Sequence, residues 1–277
     1  MKEGLPDARI FTRDYIVPGL DGHDVVCDIF NNNLGNSRRP ALVFVHGGGF
    51  VGGDKDQFFG AASWISMMTG ALCVTMQYRT APEHVYPAPV IDCLSVFRWL
   101  WANKERYHVC PELIFVTGGS PGANIGAMAM TAETELLKKY GLEPDKCFQP
   151  DNGIFLNGIF DLTDFYKRNP LERQHVNSYL NSRQFDKELW EESSPVFHKK
   201  PGLNLLLLHG SEDSIVPWQQ CESMKHAAEQ EQGRVKICIF EGREHAWFNE
   251  PQNLYEVLCE IINYIKETED KVFNVKK

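Results

Sequence analysis

Short apolar runs alternate with longer amphipathic segments along almost the whole chain, and this alternation limits the folds that are open to it. The runs at 41–46 (ALVFVH), 113–118 (LIFVTG) and 203–210 (LNLLLLHG) are nearly continuously apolar. Strands that are buried on both faces have this pattern, whereas a strand with one solvated face alternates apolar and polar residues. The chain is therefore predicted to build a sheet that is covered on both sides.

The spacing of these runs predicts eight strands and five helices. The strands are expected at 9–17, 23–30, 41–46, 71–78, 113–117, 153–159, 203–208 and 235–240. The helices are expected at 57–68, 88–107, 121–139, 217–231 and 253–268. In the second helix, apolar residues recur at three- and four-residue steps, as on one face of a helix. They are Val90, Leu94, Phe97 and Trp101.

The order of these elements predicts an α/β fold. A short Gly-Leu-Asp-Gly turn joins the first two strands, which are expected to pair antiparallel. The later strands alternate with helices, which favours a mainly parallel sheet with helices on both faces. The polar stretch 160–202 interrupts this rhythm, and because insertions of this length are often functional, we expect a small lid there. We predict a single domain over 1–277, since α/β folds of this size are commonly one domain.

Composition argues against several classes of function. The chain has 277 residues, of which 43% are hydrophobic, and its net charge is −9. An acidic chain is a poor partner for nucleic acid or for an anionic membrane. The first residues, MKEGLPDARIFTRDY, predict no signal peptide, and no apolar run reaches the roughly 18–20 residues of a membrane span. The eight cysteines are scattered without C-x-x-C pairs, which favours reduced thiols in a cytoplasmic protein over a disulfide framework.

One stretch has the pattern of a nucleophilic serine. Residues 117–126 read TGGSPGANIG, in which Gly118, Ser120 and Gly122 match G-x-S-x-G between a predicted strand and a predicted helix. Such a turn crowds the neighbouring backbone, where glycine has no Cβ to clash. The motif also arises by chance, and the residue after the serine is Pro121, which has no backbone N–H to offer an oxyanion.

An acid and a base follow later strands in the matching order. Asp213 lies after the strand at 203–208, and His245 lies after the strand at 235–240. Because α/β sheets place their sites at the carboxyl ends of the strands, Ser120, Asp213 and His245 are expected to meet there. The order Ser, Asp, His is that of the α/β-hydrolase triad.

Other interpretations of these residues stay open at this point. Asp213 can be a helix N-cap before 215–220, and Glu212 is a rival orienting group one residue away. His245 can be an ordinary hydrogen-bonded polar residue. His209, inside the apolar run, is interpreted as a hydrogen-bonded core or loop-anchoring residue.

The glycines after the strand at 41–46 predict an anion site. HGGGF, at 46–50, lets backbone N–H groups face a small anion without a Cβ in the way. The range 47–52 also matches G-x-G-x-x-G, but a dinucleotide site needs a helix that opens from the loop and an acid after the next strand. The chain continues instead with GDKDQ at 53–57, and the next strand ends in QYR at 77–79. We expect no nucleotide, no metal and no other cofactor, since paired Cys/His spacings and H-E-x-x-H are also missing.

With these motifs the chain resembles the hormone-sensitive-lipase-like esterases of the α/β-hydrolase superfamily. The stretch 78–87, YRTAPEHVYP, is close to that family's YRLAPEHPFP. Ser194-Pro195 and DSIVP at 213–217 are similar to further family landmarks. The resemblance runs from about residue 38 to residue 265, and it implies the α/β-hydrolase fold, with an eight-stranded, mostly parallel sheet.

The resemblance also implies a role for each residue of the site. Ser120 would attack an ester carbonyl, and His245 would take its proton. Asp213 would orient the imidazole and stabilise the imidazolium. The backbone N–H groups of Gly47 and Gly48 would hold the oxyanion.

The chain departs from the family pattern in two places. Only 45 residues precede His46, whereas the family usually carries a sizeable N-terminal cap, so we expect the lid to come largely from 160–202. The family commonly has D-S-A-G where this chain has GSPG at 119–122. A proline fits the first turn of a helix, but the loss of one oxyanion donor costs about 10²–10³ in kcat. We therefore expect a retained nucleophile and a lower catalytic power.

These observations predict a serine carboxylesterase that cleaves short acyl esters through an acyl-enzyme and whose partner is a small-molecule ester. Four aromatic residues could line its pocket and would suit an acetylated or feruloylated carbohydrate; they are Phe50, Tyr166, Trp218 and Trp247. One alternative is an amidase, formamidase or peptidase with the same triad. Another is a binding module that kept the fold and lost the chemistry. The oligomeric state does not follow from the sequence.

Overall fold

A single eight-stranded sheet organises the chain in the computed structural model, which describes residues 10–33, 35 and 38–274. The strands are β1 (Phe11–Val17), β2 (Val25–Asn31), β3 (Arg39–Val45), β4 (Leu72–Gln77), β5 (Val109–Gly119), β6 (Asn152–Leu156), β7 (Asn204–Gly210) and β8 (Arg234–Phe240). Each predicted strand is present. The first was predicted from residue 9, which lies outside the described residues.

The strands lie in the order β1-β2-β4-β3-β5-β6-β7-β8. β2 pairs antiparallel with both β1 and β4, whereas every neighbouring pair from β4 to β8 is parallel. The predicted antiparallel start and the predicted mainly parallel sheet are both confirmed. The carboxyl ends of β3, β5, β6, β7 and β8 consequently meet at one edge.

Nine α-helices lie in the described residues, and the larger ones cover both faces of the sheet. They are α1 (Phe59–Thr69), α2 (Ala88–Ala102), α3 (Pro121–Thr131), α4 (Thr134–Lys139), α5 (Leu162–Arg168), α6 (Arg173–Leu180), α7 (Lys187–Glu192), α8 (Gln219–Gln230) and α9 (Pro251–Asn274). The apolar side chains of α2, α3 and α8 pack on one face, and those of α1 and α9 pack on the other. This is the three-layer arrangement that the alternating pattern predicted.

Strand β3 shows why the apolar runs are continuous. All seven of its residues are buried. Val43 and Val45 point into the core under α2, α3 and α8, whereas Leu42 and Phe44 point into the core under α1 and α9. Because successive side chains of a strand leave opposite faces, a strand between two helical layers has no solvated position.

Two predicted helices end earlier than expected. The predicted helix at 121–139 is two helices, because the backbone is extended at Ala132 (ψ 117°) and Glu133 (ψ 161°). The predicted helix at 88–107 ends at Ala102, where the side-chain amide of Asn103 donates to the Trp99 carbonyl at 2.8 Å. Trp101 does not join the buried face, since it is 39% exposed. Neither break has a Pro or Gly that would have marked it.

The insertion 160–202 is attached to the core at the carboxyl edge of the sheet. It carries α5, α6 and α7. Gln220 Oε1, on α8, accepts the backbone N–H groups of Phe160 at 2.8 Å and of Asp161 at 2.7 Å. The ring of Tyr179 on α6 stacks on Phe50 with 4.0 Å between the centroids. The insertion therefore contacts the loop that carries the HGGGF glycines.

All eight cysteines are free thiols, and five of them are buried: Cys27, Cys73, Cys93, Cys110 and Cys221. Residues 1–9, on which the expectation of no signal peptide partly rests, lie outside the described residues. Among the helices of the described residues, none combines the length and the apolarity that a bilayer crossing requires.

Candidate active site

Ser120 occupies the sharp turn between β5 and α3. Its backbone angles, φ 53° and ψ −121°, lie in a region that non-glycine residues rarely adopt, and such strain is typical of functional sites. A Cβ on Gly118 would lie 2.5 Å from the Gly122 carbonyl, and a Cβ on Gly122 would lie 2.2 Å from the Val45 oxygen. Only glycine fits at both positions, so the predicted elbow is confirmed together with its steric reason.

Three residues from separate strand ends form one hydrogen-bonded chain. His245 Nε2 lies 3.0 Å from Ser120 Oγ, and His245 Nδ1 lies 2.8 Å from Asp213 Oδ2. An ionised carboxylate only accepts hydrogen bonds, so Nδ1 carries the imidazole proton and Nε2 accepts the serine hydroxyl. The side chain of His245 is 15% exposed, whereas that of Asp213 is fully buried. The structure thus brings together the three residues that the strand order predicted.

The two oxygens of Asp213 have different tasks. Oδ1 accepts the backbone N–H groups of Ile215 at 3.0 Å and Val216 at 2.8 Å, as a capping residue does. Oδ2 accepts His245. Oδ1 therefore caps the turn, as the capping interpretation predicts, and Oδ2 makes the contact with His245 that the catalytic interpretation requires. The rival Glu212 is exposed, and its backbone N–H donates to the Arg243 carbonyl at 3.0 Å.

The surroundings of Asp213 keep it ionised. Burial acts to raise its pKa, but hydrogen bonds from His209 and His245 outweigh burial, and the pKa of Asp213 lies well below its ordinary value. Asn157 Nδ2 also donates to Oδ2. Asn157 follows β6 in a left-handed conformation (φ 48°) and is fully buried.

Sequence reasoning missed Asn157, and it gave His209 no role at the site. His209 Nε2 lies 3.2 Å from Asp213 Oδ2. Asn157 and His209 each lie at the carboxyl end of a strand, after β6 and within β7, close to a predicted site residue. A polar side chain at that place, within an otherwise apolar run, is the signal that could have found them.

The HGGGF loop offers open donors beside the elbow. Gly48 and Gly49 have φ angles of +124° and +61°, and a Cβ on Gly48 would lie 2.3 Å from the Gly52 oxygen. Within residues 10–33, 35 and 38–274, neither the Gly48 N–H nor the Gly49 N–H has a hydrogen-bond acceptor. The Gly47 N–H differs, because it donates to Gln57 Oε1 at 2.6 Å. Of the predicted pair, Gly48 has a free donor and Gly47 has an engaged one.

The side chain of His46 stabilises the conformation of the HGGGF loop. Its ring stacks on Tyr78 with 4.0 Å between centroids, and its Nδ1 donates to the Gly47 carbonyl at 2.7 Å. Its Nε2 lies 3.2 Å from the side-chain amide of Gln77, which donates to it. Burial lowers the pKa of His46 to about 4, so this histidine is neutral at pH 7.

Pro121 begins helix α3, as the first-turn interpretation predicts. It is buried, and the backbone N–H of Ser120 on its other side donates to the Leu156 carbonyl at 2.9 Å. Neither residue therefore offers a backbone donor to an oxyanion at the start of α3. Donors for that charge have to come from the HGGGF side.

His175 on α6 lies against the same loop, and sequence reasoning missed it too. A Cβ on Gly49 would lie 3.2 Å from Cγ of His175. Its Nδ1 is 2.8 Å from Glu172 Oε2, three residues earlier on the insertion. The insertion thus brings a hydrogen-bonded histidine–glutamate pair to the edge of the candidate site.

The four predicted pocket aromatics do not come together. Phe50 (1% exposed) lies under Tyr179, and Trp247 (4% exposed) packs against Phe240 and Phe248. Trp218 is half-buried next to the start of α8. Tyr166 packs on aromatic residues of the insertion itself, Phe185 and Trp190. Phe50 and Trp247 face the interior, and as pocket residues all four stay predictions.

An apolar cavity of about 320 Å³ lies between α1, α9 and the strand ends. Phe58, Phe248 and Gln57 are among its walls. A Cβ on Gly119 would lie 2.9 Å from the Phe248 ring, so this wall of the cavity contacts the residue before Ser120.

In the described part of the chain, no three His, Cys, Asp or Glu side chains are grouped to hold a metal ion.

Comparison with known proteins places this geometry in a family. The profile of the BD-FAE family matches residues 27–228, which is most of the chain. The chain belongs to the BD-FAE family. This match runs from strand β2 to helix α8 and includes Ser120 and Asp213, whereas His245 follows it.

Relatives of this BD-FAE protein are esterases. Esterase LipQ from Mycobacterium tuberculosis is 26% identical over 80% of this chain and 54% of its own length. Carboxylesterase NlhH from the same species is 33% identical over 46% of this chain and 39% of its own length. The chain thus spans about half or less of these curated relatives. They confirm the relation to the hormone-sensitive-lipase-like α/β-hydrolases.

A solved structure confirms the fold. The propionate-bound esterase from Thermogutta terrifontis superposes with a TM-score of 0.77, over 95% of this chain and 96% of that one, at 21% identity. The BD-FAE protein therefore has the α/β-hydrolase fold that its motifs implied.

Proposed function

We propose that the protein is a serine carboxylesterase that hydrolyses short acyl esters through an acyl-enzyme. The observation that carries the proposal is the hydrogen-bonded chain from Ser120 through His245 to Asp213, with distances of 3.0 and 2.8 Å. The esterase names of the relatives support the same activity.

The triad accounts for both halves of the reaction. Ser120 Oγ attacks the ester carbonyl carbon while its proton passes to His245 Nε2. The imidazolium then gives that proton to the leaving alcohol, and the acyl group stays on Ser120. A water molecule repeats the sequence, releases the acid and restores the serine. Asp213 stays ionised throughout, because the hydrogen bonds around it lower its pKa.

The oxyanion would be held from the HGGGF side. Gly48 was expected as a donor, and its N–H is free to point at a substrate oxygen. Gly49 offers a second free N–H. Gly47 was the other expected donor, and it can serve only when Gln57 releases it. We propose Gly48 and Gly49 as the resting pair and Gly47 as a donor that depends on Gln57.

We also propose that the insertion 160–202 acts as a lid and that an acetylated or feruloylated carbohydrate is a substrate. The polar groups of His175 and Glu172 beside Gly49 support a carbohydrate substrate, because they suit the hydroxyl groups of a sugar. Nothing in the site favours an amide over an ester, so formylated amides serve as a comparison.

The first test is the release of p-nitrophenol from acetyl and butyryl esters. Ser120→Ala should lower kcat by more than about 10⁴-fold, because the nucleophile is removed. The matched control is Ser223→Ala, a hydroxyl on the exposed surface of α8, which should leave kcat unchanged. Turnover that persists in Ser120→Ala would contradict the nucleophile.

A second measurement separates the enzyme from a binding module. A serine-directed organophosphate should label Ser120, located by mass spectrometry of the digested protein. Folded protein without a label would favour the binding module. Parallel assays with acetylated xylo-oligosaccharides, feruloyl esters and formylated amides then define the substrate class.

A further inference from the structure

A buried histidine and cysteine continue the triad beyond Asp213. His209, the sixth residue of β7, is fully buried, and Cys221 on α8 is 1% exposed. Cys221 Sγ lies 3.3 Å from His209 Nδ1, and His209 Nε2 lies 3.2 Å from Asp213 Oδ2. The proposed mechanism gives neither side chain a contact with the substrate or a step of proton transfer.

The hydrogen-bond partners determine where the imidazole proton of His209 sits. Nε2 faces two acceptors, the Val216 carbonyl at 2.8 Å and Asp213 Oδ2 at 3.2 Å. A carbonyl and an ionised carboxylate can only accept, so Nε2 has to carry the proton. Nδ1 then has a free lone pair.

The lone pair on Nδ1 is met by the thiol. Burial raises the pKa of Cys221 far above its ordinary value, so Sγ keeps its hydrogen and donates it to His209. In the opposite tautomer, a bare Nε2 would face two oxygens, and the thiol sulfur would accept only weakly from the Nδ1 hydrogen. A thiol that donates to Nδ1 therefore adds to the preference for the tautomer whose Nε2–H faces Val216 and Asp213.

We propose that His209 is a positioning residue for the triad carboxylate and that Cys221, by donating to Nδ1, reinforces the tautomer and orientation of His209 that this role requires. Asp213 Oδ2 accepts hydrogen bonds from His245 and Asn157, and the Nε2–H of His209, which donates to the Val216 carbonyl, lies 3.2 Å from the same oxygen. The donors from His209 and Asn157 hold the carboxylate so that it does not rotate away when His245 takes and returns the proton. This role rests on the proposed esterase mechanism, whereas the tautomer itself does not.

The tautomer can be read without any substitution. In a long-range ¹H–¹⁵N spectrum of the intact protein, the two imidazole nitrogens give different shifts and coupling patterns in the two neutral tautomers. His209 should be in the Nε2–H form, with Nδ1 as the bare nitrogen. An Nδ1–H tautomer in the unmodified protein would overturn the proposal, whatever the enzyme activity proves to be.

The catalytic consequence is tested at Cys221, which touches neither the triad nor the substrate. Cys221→Ala should lower kcat for p-nitrophenyl acetate about fivefold with KM unchanged, which is the effect of one ordinary hydrogen bond. Cys221→Ser should restore most of kcat, because a hydroxyl can also donate to Nδ1. Cys221→Ala should also shift the ¹⁵N resonance of His209 Nδ1, because that nitrogen loses its hydrogen-bond donor, whereas Cys221→Ser should move it back.

Cys93→Ala and Cys93→Ser are the matched controls. Cys93 is fully buried on α2, on the same side of the sheet as Cys221, so its loss tests the packing of a buried thiol alone. Both Cys93 variants should keep kcat. The positioning role fails if Cys221→Ala keeps kcat within twofold, or if Cys93→Ala lowers kcat as much. Loss of activity in all variants together with turnover in Ser120→Ala would instead point to a failure of the proposed esterase mechanism.

Discussion

At the scale of single residues, Pro121 is the departure from the family's sequence pattern that has the clearest chemical consequence. Its ring lies in the first turn of α3, where a backbone N–H would have no partner within the helix. The N–H of Ser120 is bonded to the Leu156 carbonyl. The elbow thus positions Ser120 but supplies no backbone donor from either of these two residues, and in the proposed mechanism the glycines at 48 and 49 hold the oxyanion.

We expect Pro121→Ala to raise kcat for p-nitrophenyl esters by about tenfold, because the first N–H of α3 is restored as an oxyanion donor. Steady-state kinetics on the purified variant measure the effect. Pro144→Ala is the matched control, since Pro144 also begins a helical turn but lies away from the site. A fall in kcat with unchanged stability would show that the proline shapes the elbow productively.

At the scale of elements, α6 ties the insertion to the HGGGF loop. Tyr179 is fully buried and stacks on Phe50, and its carbonyl accepts the backbone N–H of Tyr86 at 2.8 Å. Its hydroxyl has no hydrogen-bond partner among the described residues. The ring therefore provides the packing, and the buried hydroxyl lowers the net gain.

Two substitutions of Tyr179 test the contributions of its ring and of its hydroxyl separately. Tyr179→Ala should lower the free energy of unfolding by about 3–5 kcal/mol, because a large buried ring is lost. Tyr179→Phe keeps the ring and removes an unpaired polar group, so stability should be unchanged or higher by up to about 1 kcal/mol. Urea denaturation measures both. Equal losses in the two variants would mean that the hydroxyl has a partner after all.

At the scale of the whole molecule, His46 links folding to pH. Its folded pKa is about 4, below the 6.5 of a free histidine. Between these two values the unfolded chain binds a proton that the folded protein does not, so stability rises with pH across this window. The contribution is fully present above about pH 6.5 and is lost as the pH falls towards 4.

From about pH 7 to about pH 4.5, protonation of His46 in the unfolded chain should lower the free energy of unfolding by about 2–3 kcal/mol. In His46→Gln this part of the pH dependence should disappear, even if the variant is less stable at neutral pH. Denaturation curves at both pH values measure the difference. His226→Gln, at an exposed position on α8, should keep the full dependence. If His46→Gln loses as much stability on acidification as the unmodified protein, another group is responsible.

Much of this candidate site was open to prediction because Ser120, Asp213 and His245 each lie within a few residues of the carboxyl end of a strand. Ser120, Asp213 and His245 could be placed from the strand order alone, since parallel strands end at one edge. The contacts of Gln57 with Gly47 and of Asn157 with Asp213 could not be placed. These contacts join groups that are far apart in the chain. Their distance depends on how the loops pack against neighbouring strands, which no local sequence pattern encodes.

The sequence by itself determined the sheet and its two helical layers, and it predicted that Ser120, Asp213 and His245 would meet. Apolar periodicity and strand order are local properties, and they suffice for these features. Only the tertiary structure decided that α3 and α4 are separate helices, that the Gly47 N–H is bonded to Gln57 and that Phe50 and Trp247 face the core. It also decided that a thiol on α8 meets a histidine on β7 behind the catalytic carboxylate. These outcomes depend on packing between elements far apart in the chain, where burial and hydrogen-bond geometry outweigh local propensity.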